Sequence, residues 1–122
     1  MTVRIAVLAQ DLIWQDRLAR AVEAAGASPI RARTAPEFDR ALESADHAII
    51  DLTAHGYDPL LAIERAVTAG AQVLAVGQHD DVEARKRALA RGAHRVLAYR
   101  KLFEDGPATV AGFLERTTPA AG

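Results

Sequence analysis

Asp51 closes the apolar run Ala48–Ile50 and is followed at once by a turn-rich segment holding Gly56 and Asp58-Pro59. A run of this kind reads as a strand buried on both faces. Asp51 then stands at the carboxyl end of a central strand, the edge where open α/β sheets form their sites. The plainer role for such a carboxylate is to accept backbone N–H groups in the turn. His55 and His79 fall in the loops after the third and fourth strands. With Asp51 and Asp80 or Asp81 they could make a mixed nitrogen–oxygen metal site, against the plainer reading of solvated loop histidines. His47 begins a strand, and His94 follows a helix end, where a cationic ring suits the helix dipole. Neither is a good ligand candidate.

Several other chemistries are excluded by what the sequence lacks. A dinucleotide site needs a glycine-rich first turn, whereas this one is Ala9-Gln10-Asp11-Leu12. There is no Walker A sequence and no serine in a nucleophile elbow. There is no cysteine, hence no disulfide frame and no thiolate chemistry. The net charge of −1 creates no global field toward nucleic acid or membrane. The amino-terminal stretch MTVRIAVLAQD lacks the long apolar core of a signal peptide, and no apolar run is long enough to span a bilayer. A cytoplasmic location is expected.

The 122 residues, half of them apolar, suffice for one domain with a real core. Five apolar runs alternate with five helical patterns. The strands are read at Val3–Ala9, Ala27–Arg33, His47–Leu52, Gln72–Val76 and Arg95–Tyr99. Pro29 makes the second an edge strand. The first helix starts at or near Asp11 and runs to about Ala25, with Trp14, Leu18, Ala21, Val22 and Ala25 as its apolar stripe. Thr34 and Glu37 have capping-box spacing, as do Asp80 and Glu83, and Asp58-Pro59 opens the third helix. Arg100–Asp105 reads as a loop, Pro107–Arg116 as the last helix and Thr117–Gly122 as a frayed tail. This β-α alternation requires a parallel sheet covered on both faces, with right-handed crossovers. Five units suit the flavodoxin-like (βα)5 doubly wound order 2-1-3-4-5. Helices one and five are expected on one face and helices two, three and four on the other.

From about residue 3 to residue 116 the chain resembles the receiver domains of two-component response regulators, of the chemotaxis response regulator type. Asp51 takes the place of the phospho-acceptor, and Tyr57-Asp58-Pro59 that of a Met-Asp-Gly. Val73 to Ala93 aligns without a gap and ends in the Arg-Gly-Ala before strand five. The resemblance implies phosphorylation of Asp51 by a histidine kinase, with Mg²⁺ as cofactor. It also implies a partner or homodimer face on helix four, strand five and helix five.

The departures concern the same chemistry. The two acidic positions that help bind Mg²⁺ are Ala9 and Gln10, with Asp11 one place late. The Thr or Ser at the end of strand four is Gly77. The Lys at the end of strand five is Tyr99, followed by Arg100 and Lys101, either of which could reach in from the loop. Mg²⁺ is reluctant to dehydrate and would bind weakly to the remaining candidates, Asp11, Asp51 and Thr53. The strand-five position that moves with the strand-four hydroxyl is Val96 or Leu97, with no polar tip.

The expectation is a degenerate receiver, or pseudo-receiver, that is not an enzyme, needs no cofactor and binds another protein, a histidine kinase or an output protein. One alternative is an atypical active response regulator phosphorylated on Asp51. Another is a flavodoxin-like domain that binds a small molecule or a metal. Arg85, Lys86, Arg87, Arg91, Arg95, Arg100 and Lys101 are seven of the fifteen basic residues. They lie on helix four, strand five and the next loop, and read as a solvated face or a partner surface. Arg91, Arg95 and Arg100 are the expected interface. Nucleic acid is an unfavoured partner, because no aromatic stacking platform is interleaved with these bases.

Overall fold

The structure, a computed structural model, describes residues 2–78 and 80–117. Its elements are β1 (Arg4–Leu8), α1 (Leu12–Ala24), β2 (Ser28–Ala32), α2 (Ala35–Leu42) and β3 (His47–Asp51), then α3 (Pro59–Thr68), β4 (Gln72–Gly77), α4 (Val82–Ala90), β5 (Arg95–Ala98) and α5 (Tyr99–Thr117). The strands form one sheet in the order β2-β1-β3-β4-β5, and every pairing is parallel. This is the flavodoxin-like (βα)5 arrangement. Pro29 lies on an edge, as its missing N–H requires.

Burial on both faces explains why the central strands are near-continuous apolar runs. Ile5, Val7, Ile49, Leu74 and Val76 point to one face and pack with Leu18 and Val22 of α1 and Val110 and Phe113 of α5. Ala6, Leu8, Ala48, Ile50 and Val73 point to the other face, against Phe38 and Leu42 of α2, Ile63 of α3 and Ala88 of α4. The helices thus divide as the crossover rule demands. The chain winds one way from β1 to β2 and the other way from β3 onward, so a crevice opens beyond the carboxyl ends of β1 and β3.

Side-chain caps set the helix starts. Asp11 Oδ1 accepts the N–H groups of Ile13 and Trp14 at 2.9 and 3.0 Å. Asp58 Oδ1 accepts those of Leu60 and Leu61 at 3.0 and 3.2 Å. The cap of α4 is Asp81, not Asp80; it accepts Ala84 N–H at 3.0 Å. Among the described residues no helix is long and apolar enough to cross a membrane.

Four further expectations about this framework are corrected. The segment read as a loop, Arg100–Asp105, is mostly helical. Strand five ends at Ala98, and Tyr99 opens α5, which kinks at Asp105 (φ −156°, ψ 65°). No helix breaker stands between Tyr99 and Glu104, and Arg100 pairs with Glu104 one turn on, at 2.9 Å. Gly106-Pro107 then fit the start of a second helical segment, where a proline's missing N–H costs nothing. His94 is not a cation on a helix dipole: its Nδ1 accepts the Val73 N–H at 2.9 Å, which requires a neutral ring at that atom. Thr117, assigned to the frayed tail, is the last residue of α5. The rest of that tail, Thr118–Gly122, lies outside the described residues, as does His79.

Candidate functional site

Asp51 is the last residue of β3, paired with Val76 of β4, and only 2% of it is exposed. Its Oδ1 accepts the Thr53 N–H at 2.9 Å and the Thr53 hydroxyl at 2.8 Å. The Tyr99 hydroxyl donates to the same oxygen and lies 2.8 Å from Thr53 Oγ1. Two hydroxyl protons and one amide proton are thus gathered on a single carboxylate oxygen. Burial pushes the Asp51 carboxyl above its usual range, against the pull of the Thr53 amide and hydroxyl, and the charge of Asp11 adds to the rise.

Tyr99 reaches Asp51 because β5 ends one residue before it, which turns the ring back over the sheet edge. The ring stacks on Trp14 of α1, centroids 4.1 Å apart and planes 35° apart. Trp14 meets Phe103 edge-on at 6.1 Å, and the Arg17 guanidinium lies 4.0 Å from the Phe103 centroid. An aromatic cluster therefore joins the acceptor position to α1 and α5. The sequence pattern, which puts Tyr99 at a strand end and Phe103 in a loop, does not show it.

A second tyrosine pins the site from below. The Tyr57 hydroxyl donates to the carbonyl oxygens of Asp51 at 2.7 Å and Leu8 at 3.3 Å, tying the ends of β3 and β1 together. Burial, then the Asp51 charge, pushes this phenol far above its ordinary range, so it stays protonated and donating. The Met-Asp-Gly match gives Tyr57 a place in the loop, but nothing in the sequence shows where its hydroxyl goes. Gln15 was also missed. It is buried, and its Nε2 donates to Val7, Ala9 and Ala32 carbonyls at 3.0, 3.2 and 2.6 Å. A signal was available: Gln15, Leu18, Ala19 and Val22 share one helical stripe.

The other expected neighbours have different work. Gln10 Oε1 accepts the N–H groups of His55 and Gly56 at 3.2 and 3.0 Å, closing the β3–α3 loop onto the β1–α1 loop. A Cβ at Gly56 would lie 2.4 Å from Gln10 Nε2, so this approach needs glycine. Asp11 caps α1 through Oδ1, and its charge is close enough to act on Asp51. Gly77 ends β4, and the Leu52 side chain fills its place, 3.3 Å from where a Cβ would stand. Arg100 is exposed and bound to Glu104, so it does not reach in. Lys101 is exposed.

Much of what a divalent cation would use is already engaged. Ala9 brings no side-chain ligand, the Gln10 oxygen is held by two amides, Asp11 Oδ1 caps α1 and Asp51 Oδ1 takes three donors, which leaves the second carboxylate oxygens of Asp11 and Asp51 as the side-chain candidates. Among the described residues no group of three or more His, Asp or Glu is placed to hold a metal. The His55 and His79 metal reading falls partly outside them; His55 is exposed on the loop that Gln10 closes.

The expected interface residues occupy separate places. Arg91 ends α4 and pairs with Glu64 of α3 at 2.9 Å. Arg95 opens β5 and lines a groove of about 220 Å³ with Lys101, Asp105 and Arg116. Arg100 lies at the opposite end of the strand. Val96 is buried and Leu97 half-buried in the two cores, which leaves no polar tip at the position that would move with a strand-four hydroxyl.

Solved structures match this architecture over almost the whole chain. A two-component response regulator from Clostridium difficile superposes with a TM-score of 0.82 at 16% identity, over 97% of this chain and 100% of its own. A BeF3-activated DrrB receiver domain gives 0.80 at 19% identity, over 95% and 100%. A response regulator from Burkholderia pseudomallei, with a phosphorylated aspartic acid, calcium ion and citrate, gives 0.71 at 16%, over 96% of this chain and 75% of its own. This chain has the receiver fold of the response regulators. No protein-family model matches it, and no curated protein does. The fold is therefore shared with proteins whose sequences are only 16–19% identical to this one.

Proposed function

We propose that this chain is a degenerate receiver domain of a two-component-type system, acting by binding another protein and not by catalysis. One observation carries the reading: Tyr99, where receivers place Lys, donates its hydroxyl to the oxygen of Asp51 that Thr53 also holds. A phosphoryl group on a buried carboxylate needs cations around it, because its developing charge must be neutralised in a low-dielectric site. Here the side chains bonded to its carboxylate are neutral hydroxyls, and the charge that acts on Asp51 is that of the like-charged Asp11. The phenol holds the unmodified Asp51 carboxylate, and the output face of α4 and β5 stays in one state. Its partner is a histidine kinase or an output protein.

The test is incubation with acetyl phosphate and Mg²⁺, read by intact mass. No gain of a phosphoryl group is expected, with an active receiver domain treated in parallel as the positive control. A stoichiometric, Mg²⁺-dependent gain that is lost in Asp51→Asn would overturn the reading and establish an atypical active response regulator.

A further inference from the structure

In receivers the strand-four hydroxyl and a strand-five side chain carry the state of the acceptor toward helix four and strand five. That route lacks its polar groups here, and a small cavity of about 100 Å³ lies along it between Leu52, Gly77 and Val96. Gly77 has no hydroxyl, Leu52 packs where its side chain would be, and Val96 is buried beyond it. Asp51 instead bonds through its side chain to Thr53 and to Tyr99. From Tyr99 a continuous series of contacts runs outward. Trp14 stacks on it at 4.1 Å, Phe103 meets Trp14 at 6.1 Å, and the Arg17 guanidinium lies over both outer rings at 5.7 and 4.0 Å. The series ends in solvent, because Phe103 is 63% exposed.

A break in α5 sets the inner part of this series apart from the rest of the helix. Tyr99 and Phe103 sit one turn apart on residues 99–104, which the non-helical Asp105 separates from the rest of α5. Beyond that break, a Cβ at Gly106 would lie 3.1 Å from the Ala21 side chain, so the second segment is packed closely on α1. The first segment is held by Tyr99 and Leu102 in the core and by the Tyr99 hydroxyl on Asp51. A groove of about 490 Å³ lies between α1 and α5 around this break.

We propose that the arrangement of the Asp51 carboxylate is relayed through Tyr99 and Trp14 to the α1–α5 face, and not to α4 and β5. The relay rests on the geometry at Asp51 used above, but it does not require that Asp51 remain unphosphorylated. A mass gain with acetyl phosphate would end the reading of a degenerate receiver and leave the relay standing. Failure of the relay would leave that reading intact.

Trp14 is the chain's sole tryptophan, so its emission reports this contact without ambiguity. The experiment compares wild type, Asp51→Ala, Tyr99→Phe and the double variant, by acrylamide quenching of Trp14 and by amide exchange. Tyr99→Phe keeps the stacked ring but cuts the bond to Asp51. Asp51→Ala is expected to raise Trp14 quenching about twofold and to speed exchange in residues 99–104 and the first turns of α1 about tenfold, with α4 unchanged. In the Tyr99→Phe background the same substitution should change neither. Should Asp51→Ala fail to fold, Asp51→Asn, which keeps the side-chain volume, takes its place with smaller changes of the same pattern. An effect that survives in the Tyr99→Phe background, or one that appears in α4 and not in α1 and α5, would overturn the relay.

Discussion

Replacing Tyr99 with phenylalanine measures how firmly the acceptor position is held. The substitution removes one hydroxyl and leaves the ring on Trp14 at 4.1 Å, so packing is conserved. What is lost is a buried hydrogen bond to a carboxylate, of a class worth about 1.5–3 kcal/mol. Asp51 keeps the Thr53 amide and hydroxyl, which places the expected cost near the lower bound, about 1.5 kcal/mol. For a domain of this size that lowers Tm by about 4–8 °C. Stability alone does not assign the cost to this pair, so the assay is a double-mutant cycle with Asp51→Asn, each protein unfolded in urea at neutral pH. The expected interaction energy is about 1 kcal/mol. A parallel cycle with Tyr57→Phe should give a smaller value, because that hydroxyl binds the main-chain oxygen of Asp51 and not its carboxylate. Additivity of Tyr99→Phe and Asp51→Asn to within about 0.3 kcal/mol would refute the hold of Tyr99 on Asp51.

The raised pKa of Asp51 fixes the sign of a pH effect. In the window between the ordinary 3.8 and the raised native value the folded state binds the proton more tightly than the unfolded one, so this group's contribution to stability falls as pH rises. Asp51→Asn lacks the term. Its stability relative to wild type should climb as pH is raised from below 3.8, then level off above the native pKa, in urea titrations at successive pH values; a decline would contradict the assignment. Gly92 has φ +109°, and a Cβ there would lie 3.0 Å from Val67 Cγ2, whereas Gly26 at φ +87° has open space around it. Gly92→Ala should therefore cost about 2 kcal/mol and Gly26→Ala about 1 kcal/mol, and equal costs would mean that Val67 yields freely. Gln15→Leu strips a donor from three carbonyls, of which Ala32 O keeps the Ala9 N–H at 3.1 Å. About 2–3 kcal/mol of destabilisation is expected by urea unfolding; a loss under about 0.5 kcal/mol would show that the amide is dispensable.

The parts of this molecule legible in the sequence are those governed by local rules. Apolar runs such as Ile5–Leu8 and Val73–Val76 could only be strands covered on both faces, and handed crossovers then leave few topologies. Asp58-Pro59 and Thr34 were readable as caps because a cap is chosen by residues three or four apart. The errors fall where two local readings were close in energy. Asp80 and Asp81 can each cap α4, and Arg100–Asp105 carries no pattern separating a loop from a helical turn completed by one ion pair. The site was half legible. Position alone brought out Asp51, Gln10, Gly77 and Tyr99, but their partners are long-range: Tyr99 lies 48 residues from Asp51, Tyr57 49 residues from Leu8, and Gln10 46 from Gly56. The substitutions at the signature positions are also coupled in a way that no single position displays. Glycine at 77 lets Leu52 fill the space of a hydroxyl, tyrosine at 99 stands where an ammonium would, and glutamine at 10 turns its amide to a loop. Each replaces a charged or switching group by one that closes the site with neutral contacts. Taken together they describe a carboxylate that the fold holds in place, joined through Tyr99 to the surface between α1 and α5.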